Sequence, residues 1–546
     1  MKSTSADPSG HWPLENNPHN FSAHELGSSA RGLTFAEVDG RRAAVFAGRE
    51  SSLQVTDHPA LRASPEGDLS LSLWLHTNDS AGGGDVVGDL ISKFDPATRK
   101  GFQLVVSTQT GTTVTTQPNY RQLQFGIDDA HVEEAWQDCG RPGHAVKIGA
   151  LAAMNGHLYA GTFEMEAEQT GHVWRYEGGD RWSDLGAPPV GCNSVGSLAY
   201  YDGDLFAASG RYNPRGSQLG LTKNIRPGGP VYRITPEGQW VDCGHPGAEG
   251  AAPDNPDTQT GESNQADDTN CLTVFRGQLY ATSHHRRQLY RYEGGKNWKP
   301  VGPNLRIMST TIHEGNLYAL INGGGVYRYE GESDWTWCGD PPRSTQTYCA
   351  LTHQGRLLVG TWPECEIVRY AGGTDWKVIG MAGYEREVMA ASLYNGKCYF
   401  GTLPMANIFR MDDERFTYFG NIDNDPSVHL RRAWSMAVYQ GALFAGSLPQ
   451  GKVMSRRTGA VVTHDHALPS GWCHLAAVRS NQKLTLFLNG REVARSSVPT
   501  PLHTDTAEPL HIGGASIGHA FRGALRDVRF YPRVLTPQEV LHLASL

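Results

Sequence analysis

Between about Glu134 and Ser455 the chain copies itself, and a stretch that repeats limits the fold more tightly than any composition can. Each copy opens with an apolar strand that ends at a turn glycine; those glycines are Gly156, Gly203, Gly277, Gly315, Gly355, Gly396 and Gly441. A second strand ends near Gly-Thr, a variable loop follows, a return strand of the type VYRYEGG comes next, and an aromatic-x-x-x-Gly strand closes the unit. The aromatic residues of that last strand are Trp182, Trp240, Trp298, Trp335, Trp376 and Phe416. A seventh, Trp136 in AWQDCG, precedes every first strand.

Four short alternating strands per unit, repeated at roughly forty residues, specify a β-propeller. One outer strand displaced to the front lets the last unit borrow it, so the ring closes and no sheet edge is left open. The expectation is seven blades over residues 133–456, closed by Trp136 to Gly140. In outline the repeat region resembles kelch-like and glycan-active propellers. It lacks the Trp-Asp dipeptide with its Gly-His partner and the Ser-x-Asp-x-Gly-x-x-Trp turn of sialidases.

The flanks complete each other. LSLSLWLHT around Trp74, the hairpin Lys93 to Gly101 and RQLQFGI lie in front; GWCHLAAVRSNQKLTLFLNGREVA, PLHIGGA and ALRDVRFYPRVLTPQEV lie behind. Asn489-Gly490 suits a two-residue hairpin turn, which needs positive φ at both positions. Read in order, these segments resemble a laminin-G-like, concanavalin-A-type jelly roll, with Cys473 where such domains carry another polar residue. The whole is therefore expected to be all-β: a jelly-roll sandwich from 1–132 and 457–546, with the propeller inserted between. No histidine spacing is diagnostic of a metal, so no catalytic cofactor is expected; the resemblance allows a structural Ca²⁺ in the jelly roll, with Asp527 as a ligand.

A formal net charge of -8 argues against nucleic acid or an anionic membrane surface as partner. The start of the chain shows no apolar export segment, which suggests a cytoplasmic protein, or a secreted one if the sequence is a processed form. The nine cysteines lack metal-like spacing. Cys139, Cys243 and Cys338 recur just before a repeat glycine, which reads as small buried packing, as does the shared slot of Cys271 and Cys349.

Chemistry is expected at the face where second-to-third strand loops and inter-blade connections open around the channel. Nine and ten residues before the turn glycines stand Lys147, Asp267, Asp268, Arg306, Gln346, Arg386, Glu387, Arg431 and Arg432. The variable loops add Arg211, Arg215, Arg226, His284, His285, Arg286 and Arg287. Guanidinium groups match carboxylates, so the expected partner is an acidic oligo- or polysaccharide. Pairing of these arginines with neighbouring acids is the competing structural reading. The repeated Arg175, Arg233 and Arg328 are read as structural.

A carbohydrate-active enzyme on this face, a polysaccharide lyase first, would use His284, His285, Tyr212, Tyr348 and His429 for acid and base work. Arg211, Arg306, Arg386, Arg431, Arg432, Lys147, Trp362 and Glu164 would bind substrate. The match to propeller-type lyases is one of architecture and residue type. A glycoside hydrolase would instead draw two carboxyl groups from Glu164, Glu166, Glu364, Asp267 and Asp268. A non-catalytic, lectin-like glycan binder and a protein-interaction scaffold are further readings. No metal is assigned to the catalytic site.

Overall fold

The computed structural model describes residues 7–78, 88–107, 121–248, 268–283, 287–480, 482–499 and 501–546. It is an all-β protein with a propeller-like ring of sheets and a concanavalin-like sandwich. In the ring, five four-stranded sheets stand separately. A further eight-stranded sheet holds two successive repeats joined by the single pair Phe163↔Ser194. The first strands of consecutive repeats lie against one another, and that of the last lies against that of the first. The displaced strand Gln137–Asp138 pairs with Val453–Arg456, so residues from the front of the region complete its last sheet.

Two local devices recur. Each turn glycine has positive φ, from 66° at Gly355 to 86° at Gly203, and follows a residue that also has positive φ, such as Asn155 at 50° or Asn395 at 44°. This is the left-handed pair that a two-residue hairpin with right-twisted strands requires. Each first strand also carries a register shift near its start, as at Ile148/Ala150, Val388/Ala390 and Ala433/Ser435. A bulge there re-aims the side chains beside it.

A belt of indoles ties neighbouring repeats together. Trp182, Trp240, Trp298, Trp335, Trp376 and Trp136 donate Nε1–H to the carbonyls of Cys139, Leu185, Cys243, Val301, Cys338 and Phe419, at 2.7 to 3.1 Å. Each acceptor sits just before the closing glycine of the adjacent repeat. Phe416 takes this position in the sixth repeat and has no N–H to give. The cysteines at the recurring slot are buried, unbridged and packed. Arg175 and Arg328 pair with Glu177 and Glu330 two residues on, and Arg233 pairs with Asp204, so all three serve the strands.

The sandwich is assembled from chain ends far apart in sequence. Strand Leu69–Thr77 pairs along its whole length with Gly471–Ser480, from Thr77↔Gly471 to Leu69↔Arg479. Strand Ala460–Ala467, in a stretch without a sandwich signature, pairs with Gln122–Asp129, so the chain leaves and re-enters the sandwich on adjacent strands. One core runs between the two sheets and includes Leu73, Phe125, Leu475 and Phe530; Cys473 is buried in it as an apolar side chain. Asn489 and Gly490 have φ of 50° and 77°.

The sandwich abuts the end of the ring that carries the turn glycines. Gly355 N–H donates to Gly518 O at 2.9 Å, and Gly156 N–H to Asp465 O at 2.7 Å. Asn395 donates to Ile127 O and Thr458 O, and Gln122 to Val438 O at 3.1 Å. Beside the crossing strands, Asp128 accepts from Arg99 at 3.0 Å, while Glu133 is shared by Arg99, Arg410 and Arg456. That end of the ring is therefore committed to the sandwich.

Candidate functional site

At the opposite end, the residue nine positions before each turn glycine begins or adjoins a first strand. The set is Lys147, Ser194, Asp268, Arg306, Gln346, Glu387 and Arg432. Lys147, Ser194, Asp268 and Glu387 are buried, and the other three are half-buried. In the sixth repeat the residue one position earlier faces the other way, because strand side chains alternate. Thus Glu387 is buried and Arg386 exposed.

Lys147 is enclosed by aromatic faces. Its Nζ lies 3.4 Å from the ring centroid of Tyr212, 4.5 Å from Trp434 and 5.6 Å from Phe163. Such faces attract an ammonium, yet they cannot replace its water shell. Burial pulls the amine down to about 7; Asp268 opposes that pull and Arg432 adds to it. Burial pushes the Glu387 carboxyl up to about 8 against the opposing influence of Arg432. Its Oε1 has no hydrogen-bond partner among the described residues. Tyr348 is held well above the usual phenol range by desolvation and then by Glu387, with Arg432 and Arg306 acting the other way.

Arg432 is the common neighbour of these groups. Its Nη1–H donates to Tyr212 Oη at 3.2 Å and its Nη2–H to Gly216 O at 2.8 Å, while the guanidinium carbon lies 5.2 Å from the Trp434 ring. The mouth is thus of mixed sign: Lys147, Arg306 and Arg432 stand with Asp268 and Glu387. The sequence placed these acids and bases in one set and weighed the cations more heavily; in the structure the two signs stand together.

Tyr212 reaches this cluster from the long loop of the second repeat. The loop is pinned at its base: Asn193 donates to Tyr212 O at 3.0 Å and accepts from Tyr212 N–H at 2.8 Å. Asn224 donates to Gln169 O at 2.7 Å and Gly191 O at 2.9 Å. From there Tyr212 and Leu219 cross to pack with Met389, Leu403, Trp434 and Leu448 of the sixth and seventh repeats. Tyr348 and Trp362 join the same apolar group from the fifth.

The other residues singled out in the sequence fall elsewhere. Arg386 and His429 are exposed at the rim, and neither joins the enclosed cluster. Arg431 is spent on its own loop, donating to Asp425 O at 2.7 Å. Glu164 is buried, but its carboxyl is raised by desolvation and answers to His172, His144 and Arg141 rather than to Lys147. Arg211 is half-buried at the base of the crossing loop. Arg226 is exposed and stands 3.9 Å from Glu168, and Glu166 pairs with Lys223 at 2.6 Å. His284, His285, Arg286 and Asp267 lie outside the described residues, as does the Arg215 side chain.

Trp434, Phe163 and Leu219 were not legible as site residues. Trp434 stands seven residues before Gly441, as Tyr348 does before Gly355, and that shared slot was the available signal. In the sandwich, Asp527 accepts from His11 and from Arg529, each at 2.8 Å, which hold its carboxyl below the usual range against burial. No group of three or more metal-ligating side chains occurs among the described residues. None of their helices is long and apolar enough to cross a membrane.

Comparison with known proteins bears on the laminin-G-like part. The profile of Laminin_G_3, described as "Concanavalin A-like lectin/glucanases superfamily", matches residues 433–541. Pappalysin-1 of Mus musculus and of Homo sapiens are each 29% identical over 92 residues, 16% of this chain. The match spans only 6% of the length of those curated relatives. Among solved structures, a catalytically inactive virginiamycin B lyase from Staphylococcus aureus with Quinupristin covers 59% of this chain and 99% of its own, at 12% identity and a TM-score of 0.43. YCF48 from Cyanidioschyzon merolae gives 12% identity, 59% and 99% coverage and a TM-score of 0.41. The family match marks a laminin-G-like segment in the chain, and the ring stands on its own strand pairing.

Proposed function

We propose that the chain is a seven-bladed propeller, residues 133–456, inserted into a jelly roll made of 1–132 and 457–546, and that its mouth cleaves an acidic, uronic-acid-containing glycan by β-elimination. One observation carries this reading: an amine held near 7 and a carboxyl held near 8 share Arg432 as a neighbour in one enclosed cluster. Perturbed groups of opposite type gathered at one end of a rigid ring are what acid–base chemistry near neutrality requires.

The roles follow from the chemistry. Arg432, with Arg306, binds the uronate carboxylate and stabilises the enolate-like charge that grows on it. Lys147 as free amine takes the proton from C5, with Tyr212 against its Nζ. The electron pair left on C5 forms the C4=C5 bond as the C4–O bond breaks, and Glu387 gives its proton to the departing oxygen. The products are an unsaturated uronate and a free hydroxyl on the leaving sugar. Trp362, which is half-buried, offers a face to the sugar ring.

Hydrolysis is the second reading, favoured by Asp268 and Glu387 occupying the same slot in different repeats; it needs two carboxyl groups across the scissile bond. Incubation with a panel of uronic-acid glycans separates the readings. New reducing ends with the ultraviolet absorbance of an unsaturated uronate mean elimination, and reducing ends without it mean hydrolysis. Binding with neither makes the mouth a lectin site. Lys147 is a free base above about 7 and Glu387 keeps its proton below about 8, so turnover should peak between those values and fall on both sides. A rate that climbs steadily from pH 6 to 10 removes this pair from the mechanism.

A further inference from the structure

We infer that the mouth receives the end of an acidic glycan chain, or a small free acid, and not the interior of a polymer; this rests on the reading of the mouth as a carboxylate site. The two ends of the ring are covered by different parts of the chain. The sandwich occupies the end with the turn glycines, through Gly355, Gly156 and Asn395. At the other end the loop of the second repeat spans the opening, bonds Arg432 through Tyr212 Oη and Gly216 O, and seats Leu219 against the far repeats.

The proposed acid and base lie beneath that span. Lys147 is 2% exposed and Glu387 5%, whereas Arg306, Gln346 and Trp362, on the fourth and fifth repeats, remain partly exposed. A ligand that approaches past these residues meets the Tyr212–Leu219 span on the far side. A polymer bound through an interior unit must leave the site in two directions, and the span blocks the second. A terminal unit needs only one exit, and its carboxylate can take the Nε–H of Arg432, which has no partner among the described residues.

The test uses the full chain carrying Glu387→Gln, so that the sugar is not consumed, and oligomers of a single uronic acid, from the free monomer to long chains, with binding followed by calorimetry. The expected result is one protein bound per sugar chain at every length, with affinity level beyond the first few units. Several proteins bound per long chain would overturn the inference while leaving the acidic-ligand reading intact. Binding at no length would overturn that reading and this inference with it. A second variant, in which two glycines join Tyr212 to Lys223, should shift long chains from one protein bound to several. Unchanged stoichiometry there, with the variant folded, would show that the span is not the barrier and would also overturn the inference.

Discussion

The two ends of the ring use the same repeat in opposite ways. At the sandwich end, every repeat turns through a left-handed pair ending in glycine, and several of these turns seat against the sandwich. At the mouth, the position nine residues upstream of that glycine holds Lys, Ser, Asp, Arg, Gln, Glu and Arg in turn. A position that keeps one residue through the repeats answers to backbone geometry, which is the same in each. A position that changes each time is free of that demand, and in this ring it supplies the titratable groups. The lesson is that titratable side chains gather in this ring where a structural slot is free to vary, not where any one residue type is abundant.

Four substitutions probe this contrast, from the largest expected effect to the smallest. Glu387→Gln, at the mouth, should lower kcat by about 10²- to 10⁴-fold, the range typical of losing a general acid, without lowering the melting temperature; a wild-type rate would remove the mouth's carboxyl from the chemistry. At the other end Asp128→Ala should leave turnover per folded molecule unchanged and cost about 1.5 to 3 kcal/mol of stability, because buried Arg99 loses the acceptor of its Nε–H and Nη2–H and keeps only Glu133. Denaturant midpoints would check it, and a loss under about 1 kcal/mol would show that the pair contributes little.

Trp376→Phe removes one bond of the indole belt and leaves Cys338 O without its donor, at a cost of about 1 to 3 kcal/mol. The sixth repeat already carries Phe416 at this position, so Phe416→Leu serves as a control that changes packing without removing a hydrogen bond. Equal losses in the two variants would mean that the belt acts through ring packing alone. The smallest effect is expected for Arg386→Ala, on the rim: within about 0.5 kcal/mol in stability, and no change in kcat. A collapse of activity there would restore a rim-facing guanidinium to the site.

That last expectation reverses what the sequence suggested, and the reason is local. Arg386 and Glu387 are adjacent, both fall within the window that counting from Gly396 marks, and arginine suits an acidic ligand better. The alternation of a strand turns only one of them inward, and the bulge at Val388/Ala390 lies directly beside them. Spacing from Gly396 marks both residues of the pair and does not say which one turns inward. Arg431 and Arg432 repeat the case with the opposite outcome, since the inward one is a cation.

The laminin-G-like halves were legible because their strands carry hairpin and alternation signals of their own. Strand Ala460–Ala467 was not, since its two histidines and aspartate break that alternation and its pairing with Gln122–Asp129 is fixed by the partner. The crossing loop shows a further limit. Its length is plain in the sequence, but nothing in the order of residues says that Tyr212 will stand over Lys147 from another repeat.

By itself, then, the sequence determined the ring and its closure, the all-β class and the reunion of the two flanks, because these follow from periodic local choices: a left-handed turn, an alternating strand, an aromatic before a glycine. Only the tertiary structure decided which charges face the channel, which are spent on neighbours and which are stripped of water. Those outcomes depend on groups brought together from distant repeats, and a pKa is set by what surrounds a side chain in space.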